Sequence, residues 1–376
     1  MSAENTVVQG DCIEWLNAQE EGFADLVFAD PPFNIGYQYD VYEDRKGYDE
    51  YYQWTHDWMA GCERILAPAG AFWVAIGAEY AAEVRMIGRQ LGLTLRNWVI
   101  WHYTFGQNTK AKFARAHTHL FYFTKSPTEF TFNREAVAVF SDRQKEYNDR
   151  RAASLGRMPF DVWTEFPRVC GTFGERKGWH PCQMPEALLA RIVRACSNVG
   201  DLVFDPFAGS GTTLVAAKKL NRRYLGTELS EDYAANVLER LSETHSPNPD
   251  ERWPQWHEQE LASLYAENSI DSERYLEKPY LWSVFVEQFN HRVAAGGSEV
   301  AYTPEELWAK LEELRTGSKL ARVRIHSQVN TAGEYPTPDS SAKGKWTGRK
   351  RRPKKVGRKP RRKPSREPDL FGGTDR

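Results

Sequence analysis

Asp201-Leu202-Val203-Phe204-Asp205-Pro206-Phe207-Ala208-Gly209-Ser210-Gly211-Thr212-Thr213 is the stretch whose reading decides the fold. Its apolar run reads as a short buried strand, broken at Pro206. The glycines let a backbone approach a ligand closely. The helix expected over Leu214 to Leu220 offers free N–H groups at its start. A dinucleotide fingerprint needs a third glycine where Leu214 stands, so that pattern fails. The next expected strand, Arg223 to Gly226, ends at Thr227-Glu228. An acid at that strand end is placed to hold ribose hydroxyls. The implied ligand contains a nucleoside but no pyrophosphate, and S-adenosylmethionine fits.

A second turn lies far upstream. Asp25-Leu26-Val27-Phe28-Ala29 reads as another short buried strand and runs into Asp30-Pro31-Pro32-Phe33. Two prolines force a sharp turn there. The turn fixes a carboxylate, a rigid carbonyl and an aromatic face at one strand end. The two oxygens can accept both N–H bonds of an exocyclic amino group, and the ring can stack on a flat base. Taken alone, the motif is equally readable as an ordinary strand-ending turn.

Together these residues resemble the amino-DNA methyltransferases. In that family the Phe-x-Gly-x-Gly motif binds S-adenosylmethionine and Asp-Pro-Pro-aromatic holds the target base. The order here, catalytic motif first and cofactor motif later, is that of the β group of site-specific enzymes. His180-Pro181-Cys182-Gln183-Met184-Pro185 resembles the segment that precedes the cofactor strand, with Cys182 and Met184 where typical members carry Thr and Lys. Asp11 matches the acid set near the cofactor's adenine. The resemblance spans roughly Val7 to Leu241. It implies Asp30, Pro31, Pro32 and Phe33 as catalytic residues. It implies Asp11, Asp205, Phe207, Gly209, Gly211, Thr212, Glu228 and Gln183 as cofactor-binding residues. The implied fold is α/β and Rossmann-like, a mostly parallel sheet with an antiparallel terminal hairpin. The implied reaction is methyl transfer to the N6 of adenine in a specific double-stranded DNA sequence, with base flipping. Asp at position 30 leans to adenine over cytosine N4, since the cytosine enzymes more often carry Ser there. A catalytically silent DNA-binding protein is the reading from a different class. The family leaves room for a cognate restriction endonuclease and for a homodimer.

Composition bounds the rest. A chain of 376 residues can bury a large core and carry appendages. Met1 to Gly10 lacks a signal pattern and no apolar run approaches about 18 residues, so a cytoplasmic protein without a membrane span is expected, and the family resemblance implies a prokaryotic or phage source. Five scattered cysteines without a C-x-x-C pair read as reduced thiols and argue against a metal site. The net charge of −1 hides an asymmetry. Lys343 to Arg366 holds fourteen Lys/Arg and no acid, which leaves 1–342 at −13. A basic tail on an acidic body points to a polyanionic partner.

Along the chain, the expected domains are 1–245 catalytic, 246–330 a helical appendage, and 331–376 a disordered basic tail. Asp11 reads as an N-cap for a helix from Cys12 to Gln19. The Tyr-rich loop Asn34 to Gly47 could close over a ligand. From His102 to His180 the pattern turns irregular and locally basic, thirteen Lys/Arg against eight Asp/Glu. It includes Arg143, Lys145, Arg150, Arg151 and Arg157 with Asn148 and Phe160, side chains suited to phosphates and base edges. Target recognition is therefore expected at about 126–178. Beyond the linker signal at 245–249, helices are expected over Trp256 to Tyr265, Leu281 to Val293 and Pro304 to Leu314. Val356 to Pro360 faintly resembles a minor-groove hook; a phosphate-binding tail is the plainer reading.

Overall fold

An apolar alternation on each central strand feeds two separate cores, and this sets the architecture. The computed structural model describes residues 4–37, 40–104, 109–145, 154–171, 174–244 and 251–317, all within one compact unit spanning 1–327. Asn148, Arg150, Arg151, the linker 245–249 and the tail 331–376 lie outside the described residues.

The elements are β1 (Thr6–Gln9), α1 (Cys12–Asn17), β2 (Ala24–Ala29), α2 (Tyr48–Ile65), β3 (Leu66–Ile76), α3 (Ala81–Gln90), β4 (Thr94–His102) and β5 (His117–Thr124). After them come α4 (Asp142–Lys145), β6 (Val162–Trp163), α5 (Glu186–Cys196), β7 (Leu202–Asp205), α6 (Thr212–Lys219), β8 (Arg223–Glu228) and α7 (Glu231–Glu243). The chain continues through α8 (Gln255–Asn268), α9 (Ser272–Glu277), α10 (Pro279–Ala295) and α11 (Pro304–Thr316).

One eight-stranded sheet runs β1-β8-β7-β2-β3-β5-β4-β6. Its first five strands pair parallel; β5 is antiparallel to both β3 and β4. The expected α/β sheet with its antiparallel β4–β5 hairpin is present. The two-residue β6 adds a parallel edge from the insertion, Trp101 opposite Trp163. Val27, Ala29, Phe72, Val74 and Ile76 face a core with α1, α2 and α3. Leu26, Phe28, Ala71, Trp73 and Ala75 face the other core, with α5, α6 and α7. Fully burying one such large side chain contributes about 1.5–3 kcal/mol.

The second core also takes in Leu261, Leu264, Phe285, Phe289, Leu307 and Leu311, so α8–α11 are built into the layer over α5 and α6. Of the elements named above, four, α4, β6, α7 and α9, do not follow from the sequence reading. Helix α7 starts at Ser230, whose hydroxyl accepts the Tyr233 N–H at 3.2 Å, a cap signal that was there to be used. Helix α9 is six residues long, too short to show a period.

Candidate active site

β7 and β2 are neighbours, with Val27 opposite Phe204. The helix after β7 leads on to β8 on one side, and the helix after β2 leads to β3 on the other. The crevice between them is the topological switch point of the sheet, where ligands sit in open α/β folds. Asp30 follows β2 directly and Asp205 ends β7, so motifs 175 residues apart in sequence meet at adjacent strand ends. A cavity of about 760 Å³ opens there. Asp11, Asp30, Pro31, Pro32, Phe33, Gln183, Asp205, Phe207, Gly209, Thr212 and Glu228 all line it.

The Asp30 turn is braced from α2. The buried Tyr51 hydroxyl donates to the Pro32 carbonyl at 2.6 Å, which leaves the Pro31 carbonyl free of that bond. Asn34 follows in the left-handed region, at φ 57°. Its amide bonds the Lys46 main chain and the Tyr80 hydroxyl. Asp44, 2% exposed, accepts the N–H groups of Asn34, Ile35 and Tyr37. The loop after Phe33 is thus wound round one carboxylate, and Ile35, Tyr37, Asp40, Val41 and Tyr42 line the cavity from it. The Ser230 hydroxyl donates to Asp40 at 2.5 Å and ties this loop to the end of β8.

On the other side, Glu228 Oε2 accepts the Gly209 N–H at 2.8 Å and Oε1 accepts the Ser230 N–H at 3.0 Å. Each oxygen keeps a lone pair for a further donor. Gly209 stands at φ 51°, and a Cβ there would come within 3.0 Å of the His180 ring. Only glycine fits that close approach without strain. Gly211 does not face the cavity; a Cβ on it would meet Val237 at 2.6 Å, so it serves the approach of α7 to α6. The Thr212 hydroxyl is held by Ser210 and by Arg240. Gln183 spends its amide on the main chain of Glu175 and Lys177, fixing that segment. Phe207 packs edge-on against Trp58, at 5.2 Å. Asp11 caps α1 through the N–H groups of Ile13 and Glu14, and it lines the cavity as well.

Three carboxyls here are pushed upward. Burial raises Asp30 to about 8; Asp205 adds to this and Arg168 opposes it. Burial raises Asp205 to about 7 against bonds from Thr213 and the Phe207 N–H. Burial raises Glu228 too, opposed by the N–H groups of Ser230 and Gly209. Adjacent acids that resist ionisation are eased by a cation. A sulfonium- and ammonium-bearing nucleoside meets that need, and Glu228 beside the open Gly209 backbone suits its ribose. The residues present therefore fit S-adenosylmethionine. Sequence reading missed Tyr51, Asp40, Asp44 and Arg168, whose partners are remote or lie across an irregular loop.

Such a sheet, with a carboxyl-bearing turn and a glycine turn side by side on one cavity at its switch point, has the layout of a group-transfer enzyme of the methyltransferase class. The family model for DNA methylases modifying N6 and N4 matches residues 24–239. The chain belongs to that family. It is 34% identical over 239 residues to the type II methyltransferase M.HpaI of Haemophilus parainfluenzae, covering 63% of this chain and 74% of that protein. It is 32% identical over 244 residues to the DNA adenine methyltransferase YhdJ of Escherichia coli (strain K12), covering 63% and 82%. The structure of a DNA modification methylase from Thermus thermophilus, complexed with S-adenosyl-L-methionine, overlays 65% of this chain and 95% of that one, with TM-score 0.46 and 26% identity.

Proposed function

We propose that this DNA methylase methylates the exocyclic N6 of adenine in a specific double-stranded DNA sequence, after the base has left the duplex. The observation that carries the reading is the pair of turns, Asp30 and Asp205, at neighbouring strand ends on one cavity.

In this reading Asp30 and the Pro31 carbonyl accept the two amino hydrogens. An exocyclic amine is a poor nucleophile because its lone pair is spread into the ring. Accepting both hydrogens draws the nitrogen toward sp³ geometry and frees the lone pair. The Asp30 carboxylate can also take the proton that the nitrogen sheds. Phe33 stacks on the extruded ring, whose unstacking costs a few kcal/mol. Glu228 holds ribose hydroxyls, Asp11 lies on the adenine side, and Asp205, Phe207 and the Gly209 backbone shape the remaining wall. Gly211, Thr212 and Gln183 keep that wall in place. When bound, the cofactor supplies an electrophilic methyl group on a sulfonium. Holding the two reactants in line supplies much of the rate. No cysteine nucleophile is needed for direct transfer.

The domain reading is part of the proposal: 1–245 catalytic with recognition at about 126–178, 246–330 a helical appendage, 331–376 a basic tail. So are a cytoplasmic, DNA-associated location, a cognate restriction endonuclease and a homodimer. Relatives named type II methyltransferases support the endonuclease; the mass measured by analytical ultracentrifugation tests the dimer. No described helix is long and apolar enough to cross a membrane.

Methylation-sensitive long-read sequencing of DNA from cells expressing the protein tests the reaction. N6-methyladenine in one recurring context is expected. N4-methylcytosine instead would move the assignment to the second amino base, and unmodified DNA would sink it.

A further inference from the structure

An enzyme that extrudes a nucleotide must hold the strand it came from, and that strand is a row of phosphodiesters. The body of this protein offers them little, since 1–342 carries a net charge of −13. Many of its arginines are already committed. Arg115 lines the cavity but pairs with Glu79, and Arg191, Arg194 and Arg292 are buried against glutamates.

Two cavity-lining cations stand apart. Lys112, in the β4–β5 loop, and Arg168, in the insertion, are both exposed. Among the described residues neither forms an ion pair, while Arg115 and Arg191 close by do.

Arg168 is held on a stiff mount. The segment before it begins with β6 on the edge of β4. The buried Trp101 indole donates to the Phe166 carbonyl at 2.8 Å. The Arg191 guanidinium packs over both the Trp163 and Phe166 rings, at 4.9 and 4.4 Å, and pairs with Glu165 between them. Arg168 then extends over the Tyr103 ring at 5.7 Å. Lys112 has a local brace, its carbonyl bonded by the Thr109 hydroxyl. Two exposed cations from separate segments, one rigidly based, border the cavity that holds Asp30. An exposed charge of this kind gains most from a ligand that passes outside the cavity and brings its own dense negative charge.

We propose that Arg168 and Lys112 form a phosphate grip at the cavity mouth, seating the phosphodiesters beside the extruded nucleotide while its base enters toward Asp30. This rests on the base-flipping reading given above. The grip contacts backbone alone, so it contributes affinity and register without selecting sequence.

The test uses the full chain with Arg168→Ala, Lys112→Ala, the double variant and Arg168→Lys. Fluorescence anisotropy measures binding to a duplex carrying the methylated context, with S-adenosylhomocysteine present, across a salt series. Each alanine should lower the slope of log K against log salt by about one unit, and weaken low-salt binding roughly 3- to 30-fold. Arg168→Lys should keep the slope, since a point charge suffices for a phosphate. Calorimetric affinity for S-adenosylmethionine should stay within about twofold of wild type, and sequencing should return the same base and context. An unchanged slope overturns the grip. A large loss of S-adenosylmethionine affinity reassigns Arg168 to the cofactor's carboxylate, and a changed context reassigns it to base reading; either also overturns the grip. Should Arg168→Ala fail to melt cooperatively, Arg168→Lys and Lys112→Ala carry the decision. A wild-type chain that binds this duplex yet methylates nothing would defeat the functional reading instead, independent of the variants.

Discussion

At the scale of the residue, Asp30 has the most to explain. Its carboxyl must accept N–H bonds as an anion, yet burial and Asp205 raise it to about 8. Asp30→Ala should lower methyl transfer by about 10²–10⁴-fold in single-turnover assays. Its S-adenosylmethionine affinity should change little, and wild-type-like turnover would remove Asp30 from the chemistry. The same shift has a stability consequence. The folded protein binds the Asp30 proton more tightly than the unfolded chain, whose carboxyl titrates near 3.8. Between those values the folded state holds more protons, so stability falls as pH rises from about 4 to about 8. Asp30→Asn, which cannot ionise, should therefore gain stability at pH 8 relative to pH 5. Solvent at the open cavity reduces the effect to about 1–2 kcal/mol, a few degrees of Tm by calorimetry at the two pH values. Equal Tm differences at both would show that the carboxyl is not raised. Glu228→Ala should weaken S-adenosylmethionine by leaving ribose hydroxyls and the Gly209 N–H unpaired, at a cost of about 1–3 kcal/mol. Normal binding by titration would remove Glu228 from the ribose site.

At the scale of the element, the loop after Phe33 depends on Asp44. Three backbone N–H groups converge on that one carboxylate, which packing hides from water. Asp44→Ala should cost about 2–3 kcal/mol and loosen the cavity wall, read as a lower Tm and faster hydrogen exchange at residues 34–37. Unaltered exchange there would show that the loop is held otherwise. This loop marks where sequence reading stops. Asp30-Pro31-Pro32-Phe33 and the glycine turn after β7 were legible because each couples a short apolar run to a local breaker. The strands β2, β3, β5 and β7 were legible for the same reason, as was the Asp11 cap. The pairing Val27 opposite Phe204 was not, since nothing local to either strand names its neighbour. The Tyr51 bond to Pro32 spans 19 residues, and the Ser230 bond to Asp40 spans 190. Trp163 looked like part of an irregular insertion because a two-residue strand has no period. Gly211 shared a motif with Gly209, and only packing against Val237 separates their tasks.

At the scale of the whole molecule, α8–α11 and the tail separate two ways of contributing. The helices share the core over α5 and α6 and also hold the insertion's main chain. Asn268 accepts the Phe140 N–H at 2.8 Å, and Gln288 donates to the Leu155 carbonyl at 2.7 Å. Glu267, on α8, is buried between Arg191 and Arg292 at 2.6 and 2.8 Å. Burial alone would raise its carboxyl; the two guanidinium groups more than reverse this and keep it ionised. Removing one partner of such a buried pair costs about 3–5 kcal/mol, because the other charge is stranded. A chain cut after residue 244 would lose Glu260 and Glu267 at once and leave Arg191 and Arg194 facing exposed apolar surface. That cut should give insoluble or unfolded protein. A cut after residue 330 removes none of these contacts and should melt like the full chain. What it removes is charge, the fourteen Lys/Arg of Lys343 to Arg366, from a body at −13. Counterion release by such a segment is indifferent to sequence and falls steeply with salt. The shortened enzyme should therefore bind DNA more weakly at low salt and show a flatter slope of log K against log salt, while methylating the same base in the same context. Anisotropy across a salt series, paired with sequencing of the product, reads both halves. An unchanged slope would mean that the tail does not engage phosphate, and a changed context would mean that it reads bases.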